Sequence, residues 1–208
     1  MIKFVKGNRE NQNICLEELD LYKDDIEYGV HALELITEIY RDSENLLKYT
    51  DIVPLIKKIA TDIDALEIEM TKKATLLSFI SVFMTYKGNY IKENQKMILD
   101  EFTTDQRSNL KHLFRGVDGY DDLRIFMAEM KQQYSEFCND DKKMAEIDVP
   151  PELSYTINYI ELLANCAMGK NATCETRAQA EFPIEDVIEN MRLAEFCYPF
   201  KHALIYYL

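Results

Sequence analysis

Three histidines, His31, His112 and His202, lie far apart, each within a helical pattern and without a second imidazole four residues away. A helical zinc site needs such a partner, so they read as core or surface imidazoles. The cysteines Cys15, Cys138, Cys166, Cys174 and Cys197 are odd in number and include no Cys-x-x-Cys pair. Neither a disulfide framework nor zinc is indicated, and reduced thiols fit best. Asp118-Gly119-Tyr120-Asp121-Asp122 partly matches a calcium loop but lacks its alternating carboxylates and closing glutamate, so a loop with an N-cap is expected there. The acidic groups Asn139-Asp140-Asp141 and Glu17-Glu18 with Asp20 fit solvated faces at least as well as weak calcium sites. Asn171-Ala172-Thr173 matches the glycosylation sequon, a pattern short enough to arise by chance. There is no Gly-x-Ser-x-Gly, no phosphate-binding glycine loop, no His-Glu-x-x-His, and no Cys or Ser set beside an evident base. The expectation is therefore no catalytic residue, no metal site, no cofactor and no enzyme activity.

The charge balance limits partners in the same way. Formal net charge is -13, spread along the chain, and the basic pairs Lys57-Lys58, Lys72-Lys73 and Lys142-Lys143 each sit among acidic neighbours. Nucleic acid and anionic membranes require a basic face that releases counterions, so neither is an expected partner. The residues 1–10 mix charges and lack the apolar centre of a signal peptide. The uncharged run 74–86 is too short for a membrane span and reads as a buried helix.

The elements that would position these residues read as helices. With 47% hydrophobic and 29% charged residues in a chain of 208, there is ample material for one core, and few glycines or prolines mark tight turns. Apolar steps of three and four predict a helix over 25–40, with Ile26, Val30, Leu33, Ile36 or Thr37, and Tyr40 inward and Glu27, Glu34 and Glu38 on the opposite face. A short element follows over 46–49. The next helix is expected to start at Asp51, an N-cap, with Pro54 in its first turn and Ile52, Leu55, Ile56 and Ile59 inward. Helices over 67–86 and 91–102 are parted by Lys87-Gly88-Asn89, and this short link predicts antiparallel neighbours. A brief helix over 110–114 closed by Gly116 and a longer one over 120–137 come next, the latter with Leu123, Phe126, Met127, Met130 and Tyr134 inward. The charged stretch 139–151, ending in Pro150-Pro151, is the best internal loop. Helices over 152–168, stopped by Gly169, from Pro183 or Ile184 to about Arg192, and from Pro199 to the end complete the reading.

Two segments carry a family likeness. One is Ile160-Glu161-Leu162-Leu163-Ala164-Asn165-Cys166-Ala167-Met168-Gly169-Lys170-Asn171, followed by Phe182-Pro183-Ile184-Glu185-Asp186-Val187-Ile188. The other is 83–99, from Phe83 through Gly88-Asn89-Tyr90 to Leu99. They resemble inositol trisphosphate receptors, where an apolar helix ending in Gly-Lys-Asn precedes a Leu-Pro-Leu-Asp-Asp-like helix start. A looser version occurs in ryanodine receptors, and weaker likeness runs over most of the chain. The local pattern is poorly kept at 173–181 and 139–146. The resemblance implies one all-α domain over 1–208, the helical homology domain of these calcium-release channels. The helical pattern by itself fits either a bundle or stacked helical pairs, and the resemblance implies the latter, an armadillo-like solenoid of stacked antiparallel helix pairs, most like the second copy in the cytosolic assembly of an endoplasmic reticulum channel. It further implies a scaffold that passes movement from ligand-binding to pore regions. Its partners would be neighbouring domains of the same chain and adjacent subunits, without direct membrane contact. The basic pocket for inositol trisphosphate lies elsewhere in the family, so direct ligand binding is not expected. The motif residues Gly169, Lys170, Asn171, Pro183, Glu185 and Asp186 have structural roles in this reading. Gly169 would supply the left-handed conformation that ends a helix, Pro183 the first turn of the next, and Glu185 and Asp186 would favour its positive end.

The closing apolar run from His202 to Leu208, without a capping glycine or polar tail, gives the expectation of a fragment of a longer solenoid, monomeric in isolation. The alternative is a free-standing armadillo-like adaptor that binds a peptide or helix.

Overall fold

The computed structural model describes residues 2–18, 30–47, 49–104, 113–134, 149–194 and 197–208. Among these the chain is helical apart from one short hairpin, an all-α fold as its composition and periodicity predict. The helices are α1 (Ile2–Val5), α2 (Arg9–Glu17), α3 (Val30–Tyr40), α4 (Tyr49–Asp64), α5 (Met70–Ile80), α6 (Lys92–Phe102), α7 (Gly116–Gln133), α8 (Pro151–Ala167), α9 (Ala172–Glu181), α10 (Ile184–Leu193) and α11 (Tyr198–Tyr207). Short 3-10 turns at Glu44–Leu47 and Ser81–Met84 and a two-strand hairpin, β1 (Thr85–Tyr86) with β2 (Asn89–Tyr90), complete the described elements.

Helix α8 organises the rest. Pro151 opens it at a position where its missing N–H costs nothing. Leu153, Ile157, Ile160, Leu163 and Ala164 are buried as their spacing predicts, while Ala167, expected inward on the same spacing, is only partly buried. So are Tyr155, Tyr159, Leu162 and Cys166, so the helix is surrounded rather than one-sided. It packs on α5, α6, α9 and α11. The stacked rings of Tyr155 and Tyr159 lie 6.4 Å apart, and the Tyr159 hydroxyl donates to the Phe102 carbonyl at 2.9 Å. Asn158 Nδ2 donates to the Ala74 carbonyl at 2.8 Å, fixing α8 against α5. One main core of buried side chains runs from Leu33 to Leu204.

Several boundaries differ from the sequence expectation. Helix α4 begins at Tyr49 rather than Asp51, which places Pro54 inside the helix, while Ile52, Leu55, Ile56 and Ile59 are buried as predicted. The stretch 67–86 is not one helix: α5 ends at Ile80, and the chain tightens into a 3-10 turn before the hairpin. Lys87 and Gly88 both have positive φ, +49° and +76°, the pattern of a type I′ turn whose twist suits two antiparallel strands. Helix α5 finds a main partner in α8, far along the chain, and α6 packs on α4, α8 and α9. Gly116, with φ +63°, opens α7 instead of closing a helix before it, and Asp118 to Asp122 lie inside α7 rather than in a loop. Helix α9 had no counterpart in the reading of the sequence. Its buried face is made of Cys174, Ala178 and Glu181, too small and mixed to give an apolar period.

Helix α3 buries two faces. Leu33, Ile36 and Tyr40 enter the main core, and Leu35 and Ile39 meet Val5 and Cys15 in a small satellite core under α1 and α2. Glu38, expected on a polar face, is consequently only 9% exposed.

Candidate functional site

The motif residues separate into two joints. At the first, the turn after α8 runs through two left-handed residues, Gly169 (φ +74°) and Lys170 (φ +61°). Gly169 sits against Tyr90 of the hairpin, where a Cβ would lie 2.9 Å from the ring carbon Cδ2. Asn171 is buried, and its Nδ2 donates to Gln95 Oε1 at 3.0 Å. Gln95 Nε2 in turn donates to the carbonyls of Asn165 (2.8 Å) and Met168 (2.9 Å), which the end of α8 would otherwise leave open. Lys92 Nζ reaches the Lys170 carbonyl at 3.2 Å. Asn165 also accepts from the Tyr206 hydroxyl at 2.8 Å and donates to Ser81 Oγ at 3.4 Å. The two sequence segments with the family likeness, 83–99 and 160–171, are therefore bound to each other and to α11. Gln95, 0% exposed, is at the centre of this joint, and sequence reasoning missed it. An amide inside a helix has no local signature, and only its position opposite a helix end shows its use.

The second joint holds α10 on α7. Pro183, with φ -60° and ψ 151°, occupies the N-cap position just before α10, one step earlier than the first turn. Glu185 and Asp186 both stand in that first turn, where the helix dipole favours carboxylates. Glu185 is exposed, whereas Asp186 turns inward. Asp186 Oδ1 accepts from the Gly116 amide at 3.2 Å and from the Tyr120 hydroxyl, and Arg115 Nε lies 3.5 Å from Oδ2. The hydrogen bond to Asp186 is the largest cause that holds the Tyr120 hydroxyl above the ordinary tyrosine value, and burial adds to it. Asn190 Nδ2 donates to the Phe114 carbonyl at 2.7 Å. Gly119 permits this approach, since a Cβ there would lie 2.9 Å from the Phe114 carbonyl carbon.

The other candidate groups do not converge. Among the described residues, no group of three or more His, Cys, Asp or Glu is placed to hold a metal ion. Asp121 pairs with Arg124 one turn on, and Lys57 lies 3.9 Å from Glu101. Cys15, Cys166, Cys174 and Cys197 are free thiols in the interior, and burial raises the last three above the ordinary thiol range, which makes them poor nucleophiles. Asn171 of the sequon is engaged with Gln95 and shut away from modifying enzymes. His112, Cys138, Asp20, Asn139-Asp140-Asp141 and Lys142-Lys143 lie outside the described residues, as does the side chain of His31. Among the described residues no helix is long and apolar enough to cross a membrane.

No protein-family model matches the chain. The chain is similar to the inositol 1,4,5-trisphosphate receptor itr-1 of Caenorhabditis elegans, with 22% identity over 191 residues. That alignment takes in 89% of this chain and 6% of the receptor, so the chain spans a small part of its relative's length and the similarity is distant.

Proposed function

We propose that the chain is a non-catalytic helical unit of an intracellular calcium-release channel, in the cytosolic part of a membrane protein of the endoplasmic reticulum. Its role is to hold and relay position between a ligand-binding region and a pore, in contact with neighbouring domains of the same chain and with adjacent subunits. The observation that carries this reading is the similarity to an inositol trisphosphate receptor along 89% of the chain. The two joints support it. Both consist of side chains spent on binding one helix to another, Gln95 with Asn171 and Asp186 with Tyr120, which is what a mechanical element requires. A relay of this kind works by small displacements between packed helices, and each joint transmits them by hydrogen bonds that span distant parts of the chain.

The test uses the native protein. An antibody raised against this chain should detect, in the membrane fraction, a band far larger than the 24.4 kDa of the chain. The protein it captures, reconstituted in vesicles, should release calcium on addition of inositol trisphosphate. A band near the mass of the chain in the soluble fraction, with no calcium flux, would overturn the reading in favour of a free-standing adaptor.

A further inference from the structure

Helix α11 is apolar on two sides. Phe200, Ala203 and Leu204 are buried against the rest of the molecule, with α8 as the main partner. The opposite side carries Tyr198 and Ile205, with Leu208 at its cap, and these steps of seven and three fall within one stripe of a helix. All three are exposed, Ile205 by 59% and Leu208 by 63%. Single exposed apolar residues are ordinary on a protein surface, whereas a stripe along three turns marks a place of contact. A helix that is apolar all round is one that neighbours cover all round, as they cover α8 in the same fold. The stripe is about 15 Å long at ~1.5 Å per residue, the footprint of a helix rather than of one side chain. Its charge also differs from that of the rest of the molecule. Lys201 and His202 stand among its apolar residues and α11 has no acidic side chain, while the chain as a whole carries -13. A second copy of so acidic a chain is repelled at a distance, and a two-fold pairing of α11 with itself would gather the basic residues of both copies.

We propose that the outer stripe of α11 docks an amphipathic helix from another part of the parent protein, with an acidic residue of that helix beside Lys201. The inference rests on the channel reading: the aligned stretch is 6% of the receptor it resembles, and a parent of that size supplies the occupant from its own chain. Covering Ile205 and Leu208 removes apolar surface from water, and the acidic residue fixes the register by charge complementarity. Glu161 of α8 lies close enough to His202 for the two charges to act on each other, so the incoming carboxylate belongs on the Lys201 side of the stripe.

The experiment compares the isolated chain with the native protein by hydroxyl-radical footprinting and peptide mass spectrometry. In the isolated chain Tyr198, His202, Ile205 and Leu208 should be oxidised readily. In the native protein, labelled in the membrane fraction and then captured, Ile205 should react about tenfold more slowly, as its exposure falls from 59% to the ~5% or less of a fully buried residue. Zero-length carbodiimide coupling should then join Lys201 to an Asp or Glu of a segment outside residues 1–208 whose apolar residues recur at steps of three and four. Sedimentation equilibrium of the isolated chain should give a monomer. In a native protein far larger than the chain, unchanged oxidation of the stripe, or protection without that coupling, overturns the docking proposal and leaves the channel reading standing. A native protein of the mass of the chain overturns the channel reading and the docking proposal with it. An isolated chain that sediments as a dimer, and as a monomer after Ile205→Glu, assigns the face to a second copy and likewise overturns the proposal.

Discussion

Gly169 is required at its position for two separate reasons, and they can be told apart by mutation. Its φ of +74° disfavours any side chain, and a Cβ would collide with the Tyr90 ring at 2.9 Å. Gly88 has nearly the same φ, +76°, with nothing within 4 Å of the added atom. Gly88→Ala should therefore cost about 1 kcal/mol, the conformational part alone, and Gly169→Ala about 2–4 kcal/mol. Urea unfolding midpoints measure both, and equal losses would show that contact with Tyr90 is unimportant. Gln95→Leu keeps the volume of the side chain but leaves the Asn165 and Met168 carbonyls and the Asn171 amide without their partner. A loss of about 2–4 kcal/mol is expected from these stranded polar groups, and chemical denaturation followed by circular dichroism reads it. A loss below about 0.5 kcal/mol would mean that the joint contributes little.

At the scale of elements, the hairpin is the part least suited to its own sequence. Type I′ turns favour Asn-Gly because both central residues have positive φ, yet Lys87 occupies the first of these positions at +49°. Lys87→Asn should raise stability by several tenths of a kcal/mol, up to about 1, seen as a higher thermal midpoint. The bond from the Lys87 backbone amide to Asp42 Oδ1 survives the change, while the contact of Lys87 Nζ with the Tyr86 ring at 4.8 Å is lost. A lower midpoint would show that the cation over the ring outweighs the backbone gain. The start of α7 follows a different logic. Arg115 and Gly116 have no capping side chain of their own, and the cap is supplied from α10 by Asp186, which accepts from the Gly116 amide. That is why the helix begins earlier than its apolar pattern.

Across the molecule, buried tyrosines together with buried thiols set the alkaline limit. Burial raises the hydroxyls of Tyr155, Tyr159 and Tyr207 above the ordinary tyrosine value of 10.0, with nearby carboxylates adding to the effect, and Tyr120 is raised by its bond to Asp186. The folded state thus keeps these protons at a pH where the unfolded chain has released them. Stability from this source is fully present below pH 10 and falls as the pH rises through the folded values. The buried thiols of Cys166, Cys174 and Cys197 act in the same sense from a lower ordinary value, so denaturant midpoints should begin to decline above about pH 8.5 and drop more steeply above about 10. Tyr159→Phe should flatten the drop at some cost at neutral pH, because it also loses the bond to the Phe102 carbonyl. A flat profile through pH 11 would contradict the burial of these hydroxyls.

Signals local to the sequence suffice for the helical class and for the best-punctuated helices. Pro151 and Gly169 bracket α8, Pro183 precedes α10, and strong apolar periods mark α4 and α6, because these signals act within one or two turns of the chain. Gly169, Asn171 and Asp186, which carry part of both joints, also lie in the segments that resemble a receptor family. Which helices meet follows from long-range packing, with α8 set against α5 and α6 and α10 set on α7. The same packing places Gln95 opposite the end of α8, buries Glu38 on a face expected to be polar, and makes a helix of the weakly patterned 172–181. The physical reason is the same in each case. Turns, caps and periods are local, whereas the partner of a buried amide or carboxylate is chosen by packing between segments far apart in the chain.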